Sequence, residues 1–140
     1  MSEHPGSLPV KFTITHYRQP KRTHEEFKKW ITEEHLPLAL PVFQKHGILG
    51  YTLFFTPQAL NNTVKGELSK INPTWDFAEY DCLIEYILPS TDSIEAVTGD
   101  PDWAVAVANQ NEWVDVPRAL VSVGYTMTYL MDGNIANPPK

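Results

Sequence analysis

From Val10 to Tyr17 apolar and polar positions alternate: Val10, Phe12, Ile14 and His16 share one face, Lys11, Thr13, Thr15 and Tyr17 the other. A period of two predicts a β-strand. After the turn Gln19-Pro20-Lys21-Arg22, the period lengthens, and Phe27, Trp30, Ile31, His35 and Leu38 fall on one helical stripe. Thr23 and Glu26 have the spacing of a capping box. Pro37 and Pro41 lack the amide that continues a helix, so a kink or break is expected there, with the exit at Lys45-His46-Gly47. Ile48 to Phe55 reads as a second strand. Residues 57–76 have no sustained period and hold Pro57, Asn61-Asn62, Gly66 and Asn72-Pro73. A stretch this long reads as a lid, a binding loop or a disordered segment, and as a lid Leu60, Val64, Leu68 and Ile71 would lay a helical turn or two across a pocket. Ala78, Tyr80, Cys82, Ile84, Tyr86 and Leu88 alternate along a third strand. Asp92 and Glu95 suit the cap of a short helix, and Asp100-Pro101 opens another that runs to about Val114. The last strand is expected from Ala119 to Leu130.

The order β-α-β-β-α-β predicts an α+β fold, the ferredoxin-like plait with an antiparallel sheet. Both helices cover one face of that sheet. The other face keeps enough apolar residues to be costly in water, and pairing two such sheets into a dimeric α+β barrel buries it. A homodimer is therefore expected. Residues 10–132 read as its single domain, between loosely held tails at 1–9 and 133–140.

The length of 140 residues allows one domain with a real core. A formal charge of −6, with scattered lysines and arginines, argues against nucleic acid as a partner. Cys82 is the only cysteine, which excludes an intrachain disulfide and a cysteine zinc cluster. No apolar run approaches the roughly 20 residues of a membrane-spanning helix, and the N-terminus has neither the basic start nor the apolar stretch of a signal peptide. No membrane partner is expected, and the cytoplasm is the expected location.

The histidines are His4, His16, His24, His35 and His46, and none forms a metal-ligand pair on one helix face. His24 and His35 are eleven residues apart, about 16 Å along a helix. No metal site is expected, and no glycine-rich loop or nucleophile elbow supports a phosphate-bearing cofactor or an activated serine. Cys82 sits mid-strand and reads as a buried, inert thiol. His35 lies on the apolar stripe beside the expected helix break, either as a pocket residue or as a core histidine bonded to a backbone carbonyl. His16 falls on the Phe12/Ile14 face and points into the same layer. His46 reads as a helix-end residue favoured by the dipole, and His24, in the first turn, as exposed. An antiparallel strand and helix would place His16 near Phe27 and His35 about 12 Å further on, flanking a substrate about three fused rings long.

Tyr17-Arg18-Gln19-Pro20, His24-Glu25-Glu26-Phe27 and Glu33-Glu34-His35-Leu36-Pro37-Leu38 resemble the opening motifs of the EthD-like family. Asp100-Pro101-Asp102-Trp103 and Glu112-Trp113-Val114-Asp115 resemble its second helix and terminal aromatic-x-Asp. Within that family the chain is most similar to fungal decarboxylases of anthraquinone pathways, which act on atrochrysone carboxylic acid. The resemblance implies a cofactor-free carbon–carbon lyase acting on an aromatic polyketide acid. It carries His35 and His16 over as catalytic residues. Tyr51, Tyr80 and Tyr125 are available to hold an oxyanion, with Trp30 and Trp103 as further substrate-binding residues. The same barrel hosts polyketide cyclases, cofactor-free anthrone monooxygenases and non-catalytic binding dimers, so the reaction stays open at this point.

Overall fold

A computed structural model describes residues 8–136. The expected tails at 1–9 and 133–140 lie largely outside those residues. The elements are β1 (Val10–His16), α1 (His24–Trp30), a π turn (Ile31–His35), α2 (Leu36–Lys45), β2 (Gly50–Phe55), α3 (Gln58–Ile71), β3 (Cys82–Leu88), α4 (Asp92–Thr98), α5 (Pro101–Ala106) and β4 (Val121–Gly124). A two-strand hairpin, β5 (Leu130–Met131) with β6 (Asn134–Ile135), follows. The sheet is antiparallel in the order β2-β3-β1-β4, the ferredoxin-like arrangement expected from the element order.

Register decides which side chains meet the helices. Ile14 stands opposite Ile84 and His16 opposite Cys82, while Tyr51 pairs with Tyr86 and Phe55 with Cys82. This face of the sheet packs on Phe27, Trp30, Ile31 and Val114, all buried. Each large side chain so buried is worth about 1.5–3 kcal/mol. A second cluster, Ala39, Val42, Phe43, Val97 and Ala106, joins α2 to α4 and α5. Gly50 suits its place on β2, because a Cβ there would meet Cγ1 of Ile87 at 3.0 Å and that side chain would have to give by a few tenths of an ångström.

The capping box forms as expected: the Glu26 amide donates to Thr23 Oγ1 at 3.0 Å and the Thr23 amide to Glu26 Oε1 at 2.8 Å. Gly47 takes a positive φ of 73° at the helix exit. Pro37 does not break the helix. The chain stays helical from His24 to Lys45 by widening into the π turn, where the Leu36 amide donates to Ile31 O, five residues back. The hydrogen-bond ladder has thus already slipped where the missing proline amide falls. Pro41 lies inside α2.

Three further expectations change. Residues 57–76 are mostly the helix α3, none of whose residues is buried. The second helical stretch ends at Ala106 rather than near Val114, and a 3₁₀ turn at Gln110–Glu112 follows. The last strand stops at Gly124 instead of reaching Leu130, because its partner β1 runs out: Lys11 pairs with Gly124, and Pro9 just beyond the start of β1 has no amide to offer. The hairpin turns at Asp132-Gly133, whose φ values of 51° and 79° are those of a type I′ turn.

Asp100 links the two helical layers. It caps α5 by accepting from the Asp102 amide at 2.8 Å, and its Oδ2 also meets Lys45 Nζ at 2.6 Å and His46 Nε2 at 2.8 Å at the end of α2. The Lys45 and His46 contacts hold its carboxyl below the usual carboxylate range. Asp100→Ala is expected to lower the thermal midpoint by several degrees, and Asp100→Asn, which keeps the cap, by clearly less. Melting followed by circular dichroism checks the order.

Candidate functional site

A cavity of about 210 Å³ opens between the sheet, the π turn and the α4–α5 layer. Its wall is mostly aliphatic and aromatic, with Phe12, Phe43, Tyr86 and Trp103 prominent. The polar groups are those of His16, His35, Ser93, Thr98, Gln110 and Tyr86, and among the described residues no Asp, Glu, Lys or Arg lines it.

The π turn delivers His35 to this cavity. Its Nδ1 lies 3.0 Å from the carbonyl oxygen of Ala106, the last residue of α5. A carbonyl only accepts, so Nδ1 carries the proton in the neutral ring, and Nε2 keeps a free lone pair. Trp30 stacks on the imidazole at 5.2 Å and 24°, and Trp103 meets it edge-on at 5.9 Å and 73°. Burial lowers the basicity of His35, with the Ala106 hydrogen bond working the other way. His35 is therefore neutral near pH 7. The two readings of this residue converge, since it is both a satisfied buried histidine and part of the cavity wall.

His16 ends β1 on the same wall. Burial pulls its pKa from 6.5 down to about 4, the Thr15 backbone opposes this, and a charge on His35 would lower it further. Its Nδ1 is buried without a hydrogen-bond partner among the described residues. The two histidines thus share one small cavity rather than flanking a long one. Rise along a helix measures backbone separation, whereas both side chains reach the wall of the same cavity.

Not every expected site residue belongs here. Trp103 lines the cavity, and Trp30 lies behind His35 as its stacking partner. Tyr51 is packed between Phe43 and Tyr86, with its hydroxyl buried and unpartnered, and burial raises its pKa. Tyr80 lines a separate polar cleft with Arg18, His24 and Asp81. Tyr125 lies beyond β4 and is half exposed. None of these three lines the cavity, because register places Tyr51 one strand away and the other two lie outside the covered sheet. The tyrosine that does line it is Tyr86, edge-on to Phe12 at 5.7 Å. Counting by twos from buried Cys82 puts Tyr86 on the core face, so its signal was in the alternation. His24 is not free in solvent: its Nδ1 lies 3.4 Å from Asp81 Oδ1. Cys82 is wholly buried, and burial pushes its thiol up to about 12. No residue of 57–76 lines the histidine cavity, so within one chain that segment is not its cover. Among the described residues no group of three His, Cys, Asp or Glu is placed to hold a metal, and no helix is long and apolar enough to cross a membrane.

Residues 19–117 match the EthD domain. The chain belongs to this family. It is 30% identical over 131 residues to the dehydratase iacD of Pestalotiopsis fici, covering 94% of this chain and 95% of that one. It is 25% identical over 138 residues to the decarboxylase nsrE of Aspergillus novofumigatus, covering 95% and 89%. Among solved structures, a dimeric protein of ferredoxin-like fold from Bacteroides fragilis superposes with a TM-score of 0.56 at 10% identity, covering 84% of this chain and 96% of that one.

His16 gives stability a pH dependence of defined sign. The unfolded chain takes up protons near pH 6.5, while folded His16 resists them until about pH 4. The unfolded state therefore binds more protons between these values, and stability falls as the pH drops through this window. Urea denaturation from pH 7 to pH 4 is expected to show this slope, and His16→Gln is expected to flatten it.

Proposed function

We propose that the chain is a cofactor-free polyketide-tailoring enzyme that removes water from an uncharged β-hydroxy carbonyl compound. The observation that carries this reading is the pair of neutral histidines in a cavity that no charged residue lines among the described residues. A substrate carboxylate would find no cation there, whereas a ketone and a hydroxyl find an N–H, a lone pair and apolar walls.

The chemistry balances on this chain's own groups. Nε2 of His35 takes the proton from the carbon beside the carbonyl, and the C–H electron pair becomes an enolate. His16, held neutral, donates an N–H to the carbonyl oxygen and stabilises that charge without losing its proton. The enolate re-forms the carbonyl, a carbon–carbon double bond forms, and the C–O bond breaks. The proton on His35 leaves with the departing hydroxide as water, which restores the starting imidazole. The relationship to a dehydratase supports this order of preference.

Decarboxylation, the reaction implied by the family resemblance, is the second reading. The relationship to a decarboxylase favours it, and so does the wall: a carboxylate stripped of water in such a cavity is destabilised relative to CO₂ and an enolate. In that reading Nε2 of His35 takes the proton of the carboxylic acid, the C–C bond breaks to give CO₂ and an enolate, and the same proton returns to the carbon. The two readings separate when the enzyme is given a β-hydroxy ketone polyketide and the corresponding β-keto acid. Loss of 18 mass units without CO₂ supports dehydration, and CO₂ release from the acid alone supports decarboxylation.

His35→Ala is expected to lower kcat by about 10²–10⁴-fold while far-ultraviolet circular dichroism stays close to that of the parent. Exposed Glu34→Gln is the control, since His24 is held by Asp81. The rate is expected to fall on the acid side as His35 takes up a proton, with a midpoint below 6.5, the direction in which burial moves this residue. Full activity in His35→Ala would remove the base from the mechanism. Turnover is also expected to survive prolonged EDTA treatment. Loss of activity that added zinc, iron or manganese restores would make the histidines ligands.

A further inference from the structure

An enolate oxygen accepts more than one hydrogen bond, and a neutral His16 supplies a single N–H. The other polar side chains on the cavity wall are those of Tyr86, Ser93, Thr98 and Gln110. Thr98 spends its hydroxyl on its own helix, donating to the Ile94 carbonyl at 2.9 Å. Ser93 stands in the first turn of α4, past the end of β3 at Leu88. Tyr86 stands opposite Phe12, whose backbone is about 13 Å along the strand from that of His16.

Gln110 is tied to both histidines. Its amide donates to the Val107 carbonyl at 3.1 Å, next in the chain to the Ala106 carbonyl that holds His35. Its own carbonyl accepts from the Trp113 amide at 3.0 Å and the Val114 amide at 2.8 Å, and Val114 bridges to Arg18, two residues past His16. The turn it opens, Gln110–Glu112, is fastened to the loop after β1, where Gln19 Nε2 donates to the Asn111 carbonyl at 2.8 Å and Arg22 Nε to the Glu112 carbonyl at 3.1 Å. The backbone of Gln110 thus has its hydrogen bonds filled, whereas no described residue bonds its side-chain amide. A half-buried amide on an apolar wall is costly without a partner, and a ligand in the cavity would supply one.

We propose that Gln110 is the second donor of the oxyanion site, its side-chain N–H meeting the substrate's carbonyl oxygen together with the N–H of His16. It transfers no proton. The same N–H is donated before and after the reaction, and the bond strengthens as charge gathers on the oxygen. An amide keeps its N–H at every working pH and brings no charge into the cavity, so both histidines stay neutral beside it. The assignment rests on the enolate of the reading above and serves dehydration and decarboxylation alike, since both pass through one.

The test uses pentafluorophenol, which at about pH 7 is a phenolate with its charge on one ring oxygen, against pentafluorobenzene, the same ring without that oxygen. Fluorine NMR follows the binding of each. Gln110→Leu is expected to weaken the phenolate at least tenfold and the benzene less than twofold. Gln110→Glu, which sets an acceptor in place of the donor at the same size, is expected to abolish phenolate binding and decides the matter if the leucine variant does not fold. With a substrate that turns over, Gln110→Leu is expected to lower kcat by about 10²–10³-fold with KM little changed. Equal losses for both probes, a phenolate affinity that neither variant changes, or no phenolate binding by the parent protein would overturn the proposal. So would a loss in Tyr86→Phe that is absent in Gln110→Leu. A parent protein that binds the phenolate through Gln110 yet turns over neither the ketone nor the acid would sink the reading above and support the donor site.

Discussion

The hydrogen bond from His35 Nδ1 to the Ala106 carbonyl is where the architecture and the chemistry of this chain meet. It spans 71 positions of sequence and joins the π turn of the long helix to the C-terminal end of α5. An intact buried hydrogen bond adds only about 0.5–1.5 kcal/mol, but leaving either group unpaired would cost about 1–3 kcal/mol. The contact is thus strongly specified. It fixes the imidazole tautomer, so the lone pair that can act as a base sits on the nitrogen not engaged by the protein. The π turn is what permits it. By moving one hydrogen bond from four to five residues back, the helix keeps its course past Pro37 and still presents His35 to the sheet.

The ring is held from the side as well. The Arg22 guanidinium lies 3.8 Å over Trp113, Trp113 is nearly parallel to Trp30 at 6.0 Å, and Trp30 stacks on His35. This column leads from a surface cation to the cavity wall. Its outer end is tied down by backbone contacts, with the Gln19 amide donating to the Trp113 carbonyl at 2.8 Å and Arg22 Nε to the Glu112 carbonyl at 3.1 Å. The loop after β1, which carries the Tyr-Arg-x-Pro motif, therefore acts on the site at a distance. Its contacts hold the aromatic planes that hold the imidazole, a preorganised geometry of the kind acid–base catalysis exploits.

Much of this was legible in the pattern of residues. The strands, the capping box, the Asp100-Pro101 helix start and the membership of His16 and His35 in one buried layer all follow from local periodicity and capping chemistry. What local pattern could not carry was any feature settled by a distant partner. Proline at position 37 reads as a break unless the helix can widen, and that depends on what His35 meets 71 residues later. The choice among tyrosines depends on strand register, so Tyr86 lines the cavity while Tyr51, one strand away, is walled in behind Phe43. The expected last strand fails for a similar reason, since its length is set by where β1 ends. The stripe Leu60, Val64, Leu68, Ile71 did announce a helix, but a stripe does not say which way it faces.

The distribution of charge closes the argument. Around the end of β1 the chain makes two hollows of opposite character within a few residues. Arg18, with Asp81, His24 and Lys65, lines a polar cleft, while His16 and His35 line a cavity with no Asp, Glu, Lys or Arg among the described residues. Alternation does not produce this, since Arg18 is two residues from His16 and an extended segment would put both on one side; Arg18 lies past the end of β1, where Asp81 accepts from its amide at 2.9 Å and from its guanidinium at 3.4 Å. Keeping the arginine, lysine and carboxylate out of the cavity has a chemical consequence. A cation beside the histidines would hold a substrate carboxylate in its ground state, and a carboxylate there would hold an imidazole protonated. With neither present, both rings stay neutral at pH 7. The developing charge of an enolate then becomes the strongest electrostatic feature in the cavity.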